Sequence, residues 1–141
     1  VVHASEDVGM ADPNALVVAV SALTAFEKLG APEGFIPMSN AIIYVCEAEK
    51  SNSAILAMGA AQRAAREVRD DNIPPYLKDN SYGDRQTKAQ SKNYKYPHDF
   101  GGWVEQQYLP DSLKNAVFYL PKDNGFEKTV KEIRKRKGKK S

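Results

Sequence analysis

The chain has little of what most reactions require. One cysteine in 141 residues excludes an intramolecular disulfide and a cysteine-based zinc site. Cys46 follows Ile42, Ile43, Tyr44 and Val45, which predicts a buried structural thiol rather than a reactive one and fits a reducing compartment. The two histidines, His3 and His98, stand in no HxxxH or HxxE spacing, so no metal site is expected. No apolar run approaches the roughly 20 residues of a membrane span, and no signal-peptide pattern opens the chain. A soluble domain without a membrane partner is expected. The phosphate-cradling signature GxxxxGK followed by Ser or Thr is missing. Its nearest imitation, Glu49-Lys50-Ser51, has no glycine loop before it to aim amides at a phosphate. No apolar run ends in Asp-Glu to hold magnesium, and no repeat with a period of 20–50 residues is visible.

The length suits one domain, or one domain with an appended lobe, able to bury roughly 68% of its unfolded surface without a covalent staple. The opening Val1-Val2-His3-Ala4 carries no helix-start signal. It reads as a processed N-terminus or as a piece of a longer protein. The net charge of +2 hides an asymmetry. Residues 1–70 hold five Lys/Arg against nine Asp/Glu, and residues 71–141 hold fifteen against nine. An acidic partner belongs with the basic half.

Helical signals dominate. Asp12-Pro13 can cap and open a helix, Leu16, Val20 and Leu23 follow at helical spacing, and Gly30 with Pro32 stops it. A second apolar segment runs from Ala41 to Ala48 behind Pro37; its Ile-Ile-Tyr-Val run lacks a hairpin partner and is read as a buried helix. Ser51 or Asn52 can cap a third helix to about Arg69, with a small-residue face of Ala54, Ala57, Ala61 and Ala65 that permits close helix approach. Residues 76–99 read as a long loop, which in a compact domain is functional or disordered. From Phe100 to Leu109 the chain regains apolar weight, and Gly101-Gly102 with Pro110 limit any helix there to about two turns; a short segment from Asp111 through Phe118 follows, then a last helix from Phe126 toward Lys137. The reading divides the chain into a helical oligomerisation block, 1–75, and a loop-rich lobe, 76–141, ending in a basic helix.

Each chemical candidate has a structural rival. His98-Asp99 reads either as a general base with its orienter or as an anchor for the segment entering Trp103. Ser5-Glu6-Asp7 can bind a hard cation but fits loop and capping roles better. The run Lys131–Lys140 holds seven basic residues and one acid, and reads as a solvated helix end or a phosphate-backbone contact through Arg134, Lys135, Arg136 and Lys137. Tyr94 and Tyr96, interleaved with Lys92 and Lys95, are the better candidates for stacking on nucleic acid bases. The helix faces bearing Leu16, Val20 and Leu23, and Ala54, Ala57 and Ala61, are the candidate oligomer interface.

Three stretches together resemble one family. They are Ala4-Ser5-Glu6-Asp7-Val8-Gly9-Met10-Ala11-Asp12-Pro13 with Ala15-Leu16; Ile36-Pro37 through Ile43-Tyr44 to Lys50-Ser51-Asn52-Ser53; and Tyr94-Lys95-Tyr96-Pro97-His98-Asp99 with Gly102-Trp103-Val104-Glu105-Gln106-Gln107-Tyr108-Leu109-Pro110. Phe118-Tyr119, Pro121 and Gly125-Phe126-Glu127 fit the closing segment. They are similar to the C-terminal region of the replication-associated recombination protein A (RarA/MgsA) family of AAA+ ATPases, related to the Werner-helicase-interacting protein. The likeness covers nearly the whole chain and departs mainly in residues 79–93.

The resemblance implies an all-α, post-AAA+ oligomerisation domain like a clamp-loader collar, with a long irregular segment and a basic C-terminal helix. It implies a homotetramer and a bacterial, cytoplasmic, nucleoid-associated protein that reaches DNA at replication forks, with single-stranded-DNA-binding protein as partner. The ATPase module, with its ATP and magnesium sites, would lie upstream of Val1, leaving this piece without catalytic groups or cofactors. The alternatives are a direct DNA-binding module using the basic second half and a small enzyme centred on His98 and Asp99.

Overall fold

The structure is a computed structural model that describes residues 1–68, 73–77 and 94–138. Regular structure among the described residues is entirely helical, as expected. Helix α1 spans Asn14–Leu29, α2 spans Phe35–Glu47, α3 spans Ser53–Glu67 and α4 spans Phe126–Arg136. Single tight turns of helix occupy Ala4–Val8, Gly9–Ala11, Pro75–Leu77, Pro97–Phe100 and Asp111–Leu113. Packing separates two units. One joins Val1–Gln62 to Phe118–Ser141, and the other is Arg63–Val117. This differs from a division at residue 75, because the closing helix falls in the same unit as the N-terminal block.

Local chemistry explains the element ends. The Asp12 carboxylate accepts the Asn14 N–H at 3.0 Å and the Tyr44 hydroxyl at 2.8 Å. One side chain thus starts α1 and ties it to α2. Gly30, at φ +69°, closes α1 with its N–H on the Phe26 carbonyl at 2.8 Å, the left-handed stop glycine permits. The next helix begins at Phe35, a turn earlier than its apolar run suggested, with Pro37 in its first turn, where a missing N–H costs no hydrogen bond.

Three segments differ from expectation. Ser5-Glu6-Asp7 lie in a helical turn, not a loop, because Ala4 and Val8 bury the turn's inner face. His3 Nδ1 meets Asp7 Oδ2 at 2.5 Å on its outer face. Residues 103–110 are irregular, below even the two turns of helix that the sequence would allow. Gly101 and Gly102, at φ +71° and +88°, turn the chain out of helical space after Phe100. Helix in the following segment stops at Leu113. Most of the expected long loop, including residues 79–93, lies outside the described residues.

The apolar interior of the first unit is small. Ala4, Val8, Ala15 and Val45 form its centre, with Ala19, Tyr44 and Ala48 packed against it. Much of the cohesion is polar. Glu127, the second residue of α4, is 0% exposed. Its carboxylate accepts the Ser51 hydroxyl at 2.6 Å, the Tyr119 hydroxyl at 2.9 Å and the Lys122 N–H at 3.1 Å, and also takes the Ser53 hydroxyl. Burial alone pushes this carboxyl's pKa up; hydrogen bonds from Ser51, Ser53, Tyr119 and the Lys122 amide outweigh it and hold the group below its ordinary value. The same carboxylate, together with burial, pushes the Tyr119 phenol up to about 12.

Around this clasp the segments 49–53 and 122–127 are laced together. Gly125 N–H donates to Glu49 Oε2 at 2.6 Å, Asn124 Nδ2 donates to the Lys50 carbonyl at 2.7 Å, and Lys122 Nζ donates to Asn52 Oδ1. Gly125 also lies against Ala11, where an added Cβ would sit 2.1 Å from the Ala11 oxygen.

Glu127→Ala should therefore destabilise the chain by about 3 kcal/mol, since two buried hydroxyls and two part-buried donors lose a charged acceptor. The folded carboxyl is held below its unfolded value, so its stabilisation is complete above the ordinary value of 4.5 and is lost as pH falls through the folded one. Thermal melts between about pH 7 and pH 3 check both points. The Glu127→Gln melting temperature should fall less toward acid than the wild type's, and parallel curves would refute the clasp.

Candidate functional site

Helix α1 is packed inside out by size. Ala15, Ala19 and Ala22, at i, i+4 and i+7, face the interior, while Leu16, Val20 and Leu23 repeat the same spacing outside. Ala22 is 7% exposed and its neighbour Leu23 is 49% exposed. The apolar gain from burial grows with side-chain size, so a helix packed for a lone subunit would turn the leucines inward. No charged residue interrupts α1 between Asn14 and Phe26.

Helix α2 shows the same inversion. Ala41 and Val45 are buried, whereas Phe35, Met38 and Ile42 form an exposed stripe and Ile36 and Ile43 are exposed beside it. The helices enclose an apolar groove of about 540 Å³, with Leu23 and Phe26 on one wall, Phe35, Met38 and Ile42 on the other, and Ala19, Ala22 and Ala41 among its lining. Phe26 and Phe35 meet across it in a tilted pair, centroids 5.7 Å apart. Small residues at the seam let the helices approach while their larger neighbours stand up as walls.

Cys46 also lines this groove and is exposed. This corrects the expectation of a buried thiol. Val45 takes the inward position, and Cys46, four residues after Ile42, continues the outward stripe. Phe35, Met38, Ile42 and Ile43 were missed as surface residues because an apolar run reads as core in one dimension. The usable signal was Ala41 and Val45, which already supply an inward face.

The other candidates fall as follows. Ala54, Ala57 and Ala61 are half-buried on α3, and Ala54 lies near Gly9, within the first unit. They do not share the open exposure of Leu16, Val20 and Leu23. Arg134 packs within the protein, its guanidinium 4.9 Å over the Tyr119 ring and donating to the Tyr119 carbonyl at 3.1 Å. Lys135, Arg136 and Lys137 are exposed at the end of α4. In the other unit Tyr94, Lys95 and Tyr96 are exposed, while Lys92 lies outside the described residues. The His98 ring sits against Tyr96, centroids 5.0 Å apart, within the exposed turn Pro97–Phe100. Among the described residues no group of three or more His, Cys, Asp or Glu gathers to hold a metal ion, and no helix is long and apolar enough to cross a membrane.

The family described as MgsA AAA+ ATPase C terminal matches residues 1–137. The chain is 45% identical over 134 residues to replication-associated recombination protein A of Bacillus subtilis, covering 94% of this chain and 32% of that protein. It is 34% identical over 131 residues to the protein of the same name in Escherichia coli K12, covering 92% and 29%. Likeness extends to ATPase WRNIP1 of Dictyostelium discoideum, 30% identical over 118 residues and covering 82% and 14%. The chain spans about a third or less of the length of these curated relatives.

The inverted packing predicts opposite responses at adjacent positions. Ala22→Leu should overpack the α1–α2 seam and cost about 1–3 kcal/mol, whereas Leu23→Ala should cost the dilute subunit less than about 1 kcal/mol. Urea unfolding at low protein concentration measures both, and equal costs would contradict the assignment of faces.

Proposed function

The chain belongs to the family of MgsA AAA+ ATPase C-terminal domains, and on that premise we propose that it is a non-catalytic self-association domain, assembling four copies through the apolar face of α1 and α2. The observation that carries this reading is the inverted packing of α1, alanines inward and Leu16, Val20 and Leu23 outward. Leu16, Val20, Leu23, Phe35, Met38 and Ile42 are each 37–59% exposed, and a face built from them on two copies is the kind of apolar area from which a specific interface of roughly 1,000 Å² is made. Neither face carries charge that association would strand away from water.

In the whole protein the domain would tether ATPase modules whose ATP and magnesium sites lie in a separate, upstream part. DNA at replication forks and single-stranded-DNA-binding protein would be engaged by that assembly. Tethering raises the effective concentration of each module for the others, so weak contacts add.

Sedimentation velocity tests this at tens of micromolar protein. A tetramer is expected for the wild type, and monomers of unchanged circular dichroism for Val20→Glu and Leu23→Glu. The Cys46 thiol should react slowly in the assembly and quickly in those variants. A strictly monomeric wild type would sink the proposal.

A second reading rests on the exposed Lys135, Arg136 and Lys137 at the end of α4: phosphate-backbone contact with DNA. Replacing all three with Ala should weaken binding at low salt and reduce the salt slope by about 2–3. An unchanged slope, measured by anisotropy titration, would remove α4 from any DNA contact.

A further inference from the structure

The Tyr94–Tyr108 segment takes no part in the assembly reading, yet it is built with care. Gln106 Oε1 accepts the Lys95 N–H at 3.2 Å, and Gln106 Nε2 donates to the Lys95 carbonyl at 3.0 Å and to the Tyr108 hydroxyl at 3.0 Å. One side-chain amide thus satisfies both polar groups of a single residue, as a neighbouring strand would. Tyr96, next along, has extended backbone angles, φ −72° and ψ 117°. In such chain, residues two apart project to the same side about 7 Å from one another. Tyr94 and Tyr96 flank the one residue, Lys95, whose backbone Gln106 holds at both its N–H and its carbonyl.

Both rings are open, Tyr94 40% and Tyr96 52% exposed. The His98 ring tilts against Tyr96 with centroids 5.0 Å apart and an interplanar angle of 46°. The backbone then turns away. Asp99 and Gly102 N–H groups bond the Tyr96 and Pro97 carbonyls at 3.1 and 2.8 Å, and a side chain at Gly101 or Gly102 would meet nothing within 4 Å. Two exposed aromatic rings therefore stand on either side of a residue whose backbone is pinned, and one of them, Tyr96, is braced by His98.

The composition selects the occupant. The stretch 94–100 holds three aromatics, a lysine, a histidine, a proline and one carboxylate, Asp99, with no Val, Ile or Leu. The aliphatic, uncharged face of α1 and α2 is a surface of another kind. Exposed rings interleaved with cationic groups suit flat, π-faced ligands on an anionic backbone. A duplex hides its base faces; a single strand offers them. We propose that Tyr94 and Tyr96 form a stacking platform for the bases of single-stranded nucleic acid, with Lys95 and His98 beside the backbone and Gln106 as the positioning residue. The near balance of Lys95 against Asp99 makes stacking the main source of affinity and the salt dependence shallow.

Anisotropy titrations of labelled oligo-dT and oligo-rU, about 20 nucleotides long to exceed one site, against a duplex of equal length test this on the full chain. Single strands should bind more tightly than duplex. Tyr94→Ala and Tyr96→Ala should each weaken single-strand binding by about five-fold or more, at the low end of what a stacked base supplies, while Tyr96→Trp should retain it. Gln106→Ala should weaken it with no change in the salt slope. Preference for dT marks DNA as the source, and preference for rU marks RNA; either supports the platform. The proposal is overturned if no single strand binds at about 100 µM protein (a dissociation constant weaker than about −5.5 kcal/mol). It is equally overturned if the double alanine variant, folded by circular dichroism, binds as the wild type does. Weakened self-association in that variant, with nucleic acid affinity intact, would make the rings a protein contact and also overturn it. The assembly proposal is read separately, from sedimentation of the Val20→Glu variant.

Discussion

The Glu127 carboxylate is the contact on which the first unit closes. A charge withdrawn completely from water is tolerated only where donors replace the water. Here three hydroxyls and one amide do so. The donors come from two places: Ser51 and Ser53 at the entry to α3, and Tyr119 and Lys122 in the strap before α4. The carboxylate therefore joins positions 74 to 76 residues apart in the chain. Once α4 is seated, Arg134 can cover the Tyr119 ring and Gly125 can press on Ala11. A polar node of this kind specifies one arrangement, because a shifted register leaves both the acid and its donors unmet. The apolar centre, built mostly of alanine and valine, offers no comparable specificity.

That alanine-rich interior has a second consequence. Small side chains bring α1 and α2 close but leave Leu16, Val20, Leu23, Phe35 and Ile42 on the surface. Apolar area not used in folding the subunit remains for association. In the proposed assembly, stability and association would be linked by mass action, because anything that binds the folded subunit alone stabilises it.

The helices were legible because their signals are local. Asp12-Pro13 and Gly30 bracket α1 in the sequence as they do in space, and the Phe126 start of α4 fell where Gly125 at φ +49° releases it. All-helical character and family membership followed from the same short motifs. Which side of α1 faces inward was not legible, since Ala15, Ala19 and Ala22 and Leu16, Val20 and Leu23 are both apolar stripes of helical period. Only contact with α2 and the turn at Ala4–Val8 separates them. Glu127 was equally silent. An acid in a basic helix reads as a surface charge, and its serine partners read as caps, until the fold brings them together. Cys46 misled for a related reason: a run of apolar neighbours reports hydrophobicity, not direction. The paired glycines at 101 and 102 limit any helix in the sequence, but their positive φ values, which rule out a continuing helix, follow from geometry that sequence does not state.

The two proposed surfaces would divide labour by chemistry. An aliphatic, uncharged face gains by excluding water over area and is indifferent to salt. An aromatic platform with few charges gains little per copy. A contact of about 1 mM corresponds to only −4.1 kcal/mol. Held in one assembly, a second such contact sees the strand at the effective concentration set by the tether, which reaches the millimolar range for short links. Two or more weak platforms then exceed one by orders of magnitude with no new contact made. A subunit that associated through its outward-facing helices would thus keep each proposed nucleic acid contact weak and quickly reversible. The strength of the whole is then set by how many copies are joined.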